Sequence, residues 1–323
     1  MKKRLIGIDV GGTTIKIAFL TWSGEIISKW EIPTNTVNKG ENILTDISES
    51  IKQKIVDLSM NLADFHAAGV GVPGPVQLNV GYLPEAVNLG GFGGFNVNDT
   101  LSVLLGIPVI TDNDANVAAI GEMWLGGGGG ADNIAFYTLG TGVGGGLITN
   151  GQIISGFSGA GGEIGHMPIV TPDDPLYIKC NCKATGCLET VCSATGIVRI
   201  GMYYLENNNG HKTCLHRDDL TAKTIFDAAK KDDILALKIV DRFAQYLGKS
   251  LELLSVTINP EVFVIGGGVS NAGEILITAV EKYYGTNIFP ATTKNVSIVS
   301  ARLGNDAGVI GAAKHARGVS VYE

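Results

Sequence analysis

Residues 5–9 form a short apolar run, Gly11 and Gly12 follow, and β-branched and apolar residues alternate with polar ones over 14–20. This pattern predicts a strand, a tight turn and a second strand, with a third antiparallel strand over 25–32 after Ser23-Gly24. Over 42–62 the period lengthens, and Ile43, Ile47, Ile51, Ile55 and Leu58 fall on one helical face. A strand over 67–72 runs into Pro73-Gly74-Pro75, which stops it. A short helix over 100–105, a strand over 109–111 and a helix over 115–125 complete the first part. Beyond Gly126–Gly130, taken as a plain loop with a hinge as the alternative, strands over 134–139 and 143–149 flank another glycine turn. An irregular stretch, 151–186, precedes helical patterns over 190–258. A strand over 261–265 then ends in Gly266-Gly267-Gly268, and a helix over 272–284, a strand over 296–300 and a small-residue helix over 306–317 close the chain.

The strand–glycine–strand unit at 8–13 has an echo at 139–144, about 130 residues later, roughly one domain length. Two such hairpins, one per domain, are expected to face each other across a cleft. The length of 323 residues suits two domains, each able to bury its own core. Glycine accounts for 45 residues, about twice the average usage of roughly 7%. No Gly-X-Y period accompanies it, so it signals positive φ or close approach in a globular protein. The net charge of −7 argues against nucleic-acid and anionic-membrane partners. Five cysteines, three of them within 180–187, do not suggest a secreted disulfide framework, and the basic start is followed by no apolar signal core. A cytoplasmic location is expected.

The loop at 9–16 is not a dinucleotide fingerprint, because a strand rather than a helix follows the glycines. Nor does Gly248-Lys249-Ser250 close a Walker A loop, since Phe243 stands where the first glycine belongs. A hairpin can still hold phosphate. Gly11 and Gly12 free backbone N–H groups, Thr13 and Thr14 add hydroxyl donors, Lys16 adds a charge, and Asp9 can hold Mg²⁺ directly or through water.

The run Asp9-Val10-Gly11-Gly12-Thr13-Thr14-Ile15-Lys16 resembles the first phosphate motif of sugar kinases with the actin/hexokinase-type fold. The stretch Leu139–Gly146, continuing to Gly161-Gly162-Glu163-Ile164-Gly165-His166, resembles the signature of the ROK family, the bacterial glucokinases most of all. The resemblance covers nearly the whole chain, and the motifs come in the family's order. It implies an α/β, ribonuclease H-like duplicated fold with an interdomain cleft. The expected domains are 1–115 plus 305–323, carrying the first phosphate loop, and 116–304, carrying the second phosphate loop, the sugar site and a zinc motif. It further implies ATP-dependent phosphorylation of a hexose, glucose foremost, with Mg²⁺ and a structural Zn²⁺, in a homodimer. N-acetylmannosamine, N-acetylglucosamine and fructose are the alternative substrates on the same scaffold.

Phosphoryl transfer to a hydroxyl needs a triphosphate clamp, a metal and a base for the attacking oxygen. In Asp112-Asn113-Asp114-Ala115-Asn116, at a strand-to-helix junction, Asp114 is expected to be the general base, as the resemblance implies, and Asp112 the helix cap. The resemblance assigns sugar contacts to Asn88, Asn113, Glu163, His166 and Glu189, and phosphate contacts to Gly140, Thr141, Gly142 and Gly144. It places the adenosine near Gly266, Gly267 and Gly268. Cys180, Cys182 and Cys187, with His166 upstream, make a Cys₃His set suited to a closed tetrahedral zinc site, and the family's zinc motif strengthens that expectation. His166 could then bind zinc by one nitrogen and sugar by the other.

Two other classes fit less well. A sugar-sensing repressor of the same family carries a helix-turn-helix ahead of the first phosphate motif, where only eight residues precede Asp9 here. An actin- or chaperone-like ATPase has no use for Glu163, His166, Glu189 and the cysteine cluster.

Overall fold

The computed structural model describes residues 3–77, 80–86, 89–207, 210 and 212–319. In the first half, β1 (Arg4–Val10), β2 (Thr14–Thr21) and β3 (Ile26–Pro33) lead to α1 (Ile43–Asp57) and β4 (Phe65–Val72). The short pair β5 (Tyr82–Leu83) and β6 (Phe95–Asn96), α2 (Val97–Leu105), β7 (Val109–Asn113) and α3 (Asp114–Leu125) follow. The second half begins with β8 (Ile134–Leu139), β9 (Val143–Thr149) and β10 (Gln152–Ile153), then α4 (Glu189–Cys192), α5 (Ala194–Glu206), α6 (Ala222–Ala229) and α7 (Ile234–Ile258). It ends with β11 (Val262–Gly266), α8 (Glu274–Glu281), β12 (Ser297–Ser300) and α9 (Ala307–Ala316).

The echo in the sequence is a true duplication of topology. One sheet has the order β3-β2-β1-β4-β7 and the other β10-β9-β8-β11-β12. In each, the first two pairings are antiparallel and the last two parallel. Each sheet therefore carries its glycine turn between its second and third strands in sheet order, at the same end relative to the parallel strands.

The apolar patterning finds its partners. Ile6, Ile8, Ile15 and Ile17 are fully buried beneath Ile43, Ile47 and Ile51 of α1, each such side chain contributing about 1.5–3 kcal/mol of transfer free energy. Helices α3 and α9 pack on each other, α9 against β1 and β4, and α3 against β8 and β9 as well as β4. The expected domain boundary at 115/116 thus falls in the first turn of a helix packed on both sheets. The packing of α9 needs glycine: a Cβ on Gly311 would overlap the Val117 carbonyl of α3, and one on Gly69 of β4 would overlap the Ala312 carbonyl of α9. Gly7, Gly121 and Gly308 are packed as closely at the same seam, while 21 of the described glycines take a positive φ.

Some boundaries differ from the expected ones. α1 stops at Asp57, because Ser59 takes φ 50° and Asn61 caps a separate 3-10 turn, which leaves Leu58 exposed outside the helix. α2 begins earlier, at Val97, because the Asn96 side chain accepts from Asp99 N–H. Gly268–Ala272 is a 3-10 turn, and α8 begins only at Glu274. Among the described residues, no helix is long and apolar enough to cross a membrane.

Candidate active site

The first glycine turn sits at the C-terminal end of β1. Asp9 pairs in register with Lys16, whose Nζ lies 4.0 Å from the Asp9 carboxylate and 3.4 Å from the Asn305 carbonyl. Thr34 braces the turn, its hydroxyl donating to Gly11 O (2.6 Å) and its N–H to Thr13 O (2.9 Å). Gly12 and Thr13 are exposed at the tip. Neither Gly11 nor Gly12 takes a positive φ. Glycine is required at Gly11 by proximity, since a Cβ there would lie 2.9 Å from the Thr14 carbonyl oxygen. Burial raises the Asp9 carboxyl above its ordinary range, and Lys16 partly offsets this.

Immediately after β7, Asp114 opens α3 with its side chain exposed. Its pKa is raised to about 6, chiefly by desolvation against the surrounding walls, and further by the carboxylates of Asp9 and Glu163; the Ala115 N–H acts the other way. This brings Asp9, Asp114 and Glu163, from three separate segments, into one electrostatic neighbourhood.

The helix cap is Asn113, not Asp112 as expected. The Asn113 side chain accepts from Ala115 N–H (2.9 Å) and Asn116 N–H (3.3 Å) while its amide donates to Gly74 O (3.1 Å). Asp112 is instead buried, accepting from Asn113 N–H (2.7 Å) and Asn116 Nδ2 (2.8 Å), with His315 Nε2 3.8 Å from its other oxygen. An acid on the last residues of a buried parallel strand points into the core, and the next residue is left to meet the helix. Burial raises Asp112 and lowers His315, which favours the neutral forms of both.

The second glycine turn joins β8 to β9, with Gly140 N–H donating to Gly142 O (3.0 Å). Thr141 is exposed at its tip. A Cβ on Gly144 would touch the Ala115 side chain at 3.4 Å, so this strand runs beside the start of α3. Glu189 supports the turn: its Oε2 accepts from Val143 N–H at 3.0 Å and occupies the space a Gly142 Cβ would need. Gly267, after β11, has φ 80°, and its Cα faces the Leu139 backbone at the same turn. The second and third glycine segments are thereby adjacent.

Glu163 and His166 bracket a 3-10 turn, with His166 Nε2 4.0 Å from the Glu163 carboxylate. The other ring nitrogen, Nδ1, faces Cys180 Sγ at 3.8 Å. Cys182 and Cys187 Sγ are 3.6 Å apart, and the four donor atoms of His166, Cys180, Cys182 and Cys187 lie within 4.8 Å of one another. A tetrahedral site with Zn–S of about 2.3 Å has edges of about 3.8 Å, so the set fits zinc in chemistry and size. Glu189 Oε1 accepts from Cys180 at 3.7 Å, joining the cluster to the second glycine turn.

Asn88 lies outside the described residues. Sequence reasoning passed over Asn116, Glu122 and His315. Of these, Glu122 left a visible signal as the lone charge in the apolar and glycine-rich run 115–131. His315 left none, being about 200 residues from Asp112.

A profile of the ROK family matches residues 5–318. Glucokinase of Halalkalibacterium halodurans is 45% identical over 309 residues, 95% of this chain and 92% of that protein. Glucokinase of Thermotoga maritima is 35% identical over 318 residues, 97% and 96% of the two chains. A ROK family glucokinase from Streptomyces griseus, solved in complex with glucose and AMPPNP, superposes with a TM-score of 0.73 at 29% identity, covering 98% of this chain and 100% of that one. The sheet duplication, the order of the glycine turns and these similarities over the full length have one conclusion: the chain belongs to the ROK family.

Proposed function

We propose that the chain transfers the terminal phosphoryl group of ATP to a hexose hydroxyl, with glucose the substrate and glucose 6-phosphate the product. The observation that carries this is the grouping of Asp114 with Asp9 and Glu163 beside two glycine turns, in a chain 45% identical to a glucokinase. Asp114 takes the proton from the attacking hydroxyl while the new O–P bond forms and the bond to ADP breaks. A pKa near 6 leaves it ionised at neutral pH yet basic enough to serve. Asn113, Glu163, His166, Glu189 and Asn88 are assigned to the sugar hydroxyls.

Gly11, Gly12, Thr13, Thr14 and Lys16 are assigned to one side of the triphosphate. Gly140, Thr141, Gly142 and Gly144 are assigned to the other, and Gly266–Gly268 to the adenosine. Asp9 would hold Mg²⁺, which supplies charge neutralisation between phosphate oxygens. His166, Cys180, Cys182 and Cys187 would hold Zn²⁺, which supplies a fixed frame for the segment carrying His166 and Glu189; metal analysis of the purified protein reads zinc per chain. The homodimer that the family resemblance implies and the cytoplasmic location expected from the composition belong to the same proposal.

The test is ATP consumption over a panel of hexoses and N-acetylhexosamines, with wild type and Asp114→Asn. Glucose-dependent turnover that falls about 10²–10⁴-fold in the variant is expected. Turnover without sugar, or a fully active variant, contradicts the proposal.

A further inference from the structure

Glu122 is the unexpected charge in this fold. It lies in the last turn of α3, is 0% exposed, and has no cationic partner among the described residues. The macrodipole disfavours an acid at a helix C-terminus, and an uncompensated buried carboxylate is costly unless it is well hydrogen-bonded. Something specific must hold it. Its Oε2 accepts from Gly127 N–H (2.7 Å) and Arg302 N–H (3.0 Å), and its Oε1 from Arg302 N–H (3.1 Å) and Leu303 N–H (2.8 Å).

The positions of those amides matter. The chain leaves the first sheet's half through 126–133 and returns to it through 301–306. Glu122 therefore binds both strands of chain that connect the halves, Gly127 on the way out and Arg302 and Leu303 on the way back. Gly127 also abuts the end of β12, where the return connection begins: a Cβ on it would lie 2.7 Å from the Ser300 carbonyl oxygen. A Cβ on Gly126 would occupy the place of the Glu122 carboxylate, and one on Gly128 would lie 2.9 Å from the Glu122 carbonyl oxygen. The first part of the glycine run is thus packed around this carboxylate and is no spacer. Gly129 and Gly130, by contrast, have free space around them and positive φ.

We infer that Glu122 is a positioning residue that pins the two connections together at the pivot between the halves, and that it sets how sugar binding draws the two glycine turns toward Asp114. This rests on the proposed phosphorylation of a hexose. Any relative rotation of the sheets must bend 126–133 and 301–306. A carboxylate holding both keeps the pivot in one place, so that rotation becomes closure without sliding.

Glu122→Gln separates the two bonds. One amide oxygen can accept from Gly127 or from Arg302 and Leu303, and the NH₂ then faces an N–H on the other connection. The expected result is a glucose KM raised about five- to tenfold, kcat within about twofold and a retained melting transition. The decrease in radius of gyration on adding glucose, read by small-angle scattering, becomes smaller. Glu122→Asp, whose shorter side chain cannot span both connections, is expected to behave in the same way. In the wild-type protein, amide exchange at Gly127, Arg302 and Leu303 is expected to be slow both without and with glucose, which checks the pin where a variant fails to fold.

Wild-type kinetics in both variants, or fast exchange at those amides, overturns the inference. So does a fall in kcat and melting temperature together with an unchanged glucose KM, which is the mark of a merely structural residue. A wild-type protein inactive on every hexose overturns the proposed function itself, while the exchange data still decide whether the pin exists.

Discussion

The two glycine turns share a topology and differ in where their charge comes from. The turn at Gly11-Gly12 carries its own: Asp9 and Lys16 flank it on the paired strands, 4.0 Å apart. The turn at Gly140–Gly142 lies in a run from 134 to 162 with no charged residue, and receives a carboxylate from Glu189, 46 residues beyond Val143. A duplicated backbone thus carries charge twice, from its own strands in one half and from the segment that follows the Cys180–Cys187 cluster in the other. The same hairpin can carry its charge on its own strands or take it from a remote side chain.

Removing the local charge should have the larger effect. Asp9→Asn keeps the size and loses the carboxylate, and is expected to lower kcat/KM for ATP by about 10²-fold, as for one preorganised electrostatic group. Steady-state kinetics at varied ATP and Mg²⁺ check it, with glucose affinity measured by calorimetry little changed. Removing the remote brace should be milder. Glu189→Gln retains an acceptor for Val143 N–H, so a loss of about two- to fivefold in kcat/KM is expected; Glu189→Ala leaves that N–H unpaired and should lose about tenfold. An effect of Glu189→Gln as large as that of Asp9→Asn would erase the contrast between the turns.

The smallest effect expected is on stability. The folded state protonates Asp114 at about 6 instead of 3.8, so it holds more protons than the unfolded chain between those values. Stability therefore falls as pH rises through that window, and the cost persists at neutral pH. Solvent around the exposed side chain moderates it. Asp114→Asn is expected to be more stable by about 1 kcal/mol at pH 7, a Tm rise of about 1–2 °C, readable by calorimetry.

Much of this was legible in the sequence because it is local. Period-two apolar runs around Gly11-Gly12 and Gly140–Gly142 predict both hairpins, and the run Cys180–Cys187 predicts a metal-sized cluster with His166. What was not legible depends on contacts between distant segments. Asn113 takes the cap that Asp112 was expected to take, because β7 turns Asp112 inward toward His315, which no spacing rule could indicate. The glycine excess points to unusual backbone at phosphate turns. The structure uses many of those glycines where α3, α9 and the first sheet approach too closely for a Cβ, and only the fold reveals such contacts. The early end of α1 was likewise decided by single residues, Ser59 and Asn61, against a continuing apolar period.

The proposed role of Asp114 is to take the proton from the sugar hydroxyl as a carboxylate of raised pKa. The pH dependence of kcat/KM for glucose tests it most directly, provided saturating Mg²⁺ and constant ionic strength are kept. The acid limb should bend at an apparent pKa near 6, a value that belongs to Asp114 coupled with Asp9 and Glu163. Activity should fall about tenfold per unit below it and be level between about pH 7 and 8. A profile that stays level down to pH 5, or an acid limb unchanged in Asp114→Asn, would contradict the account.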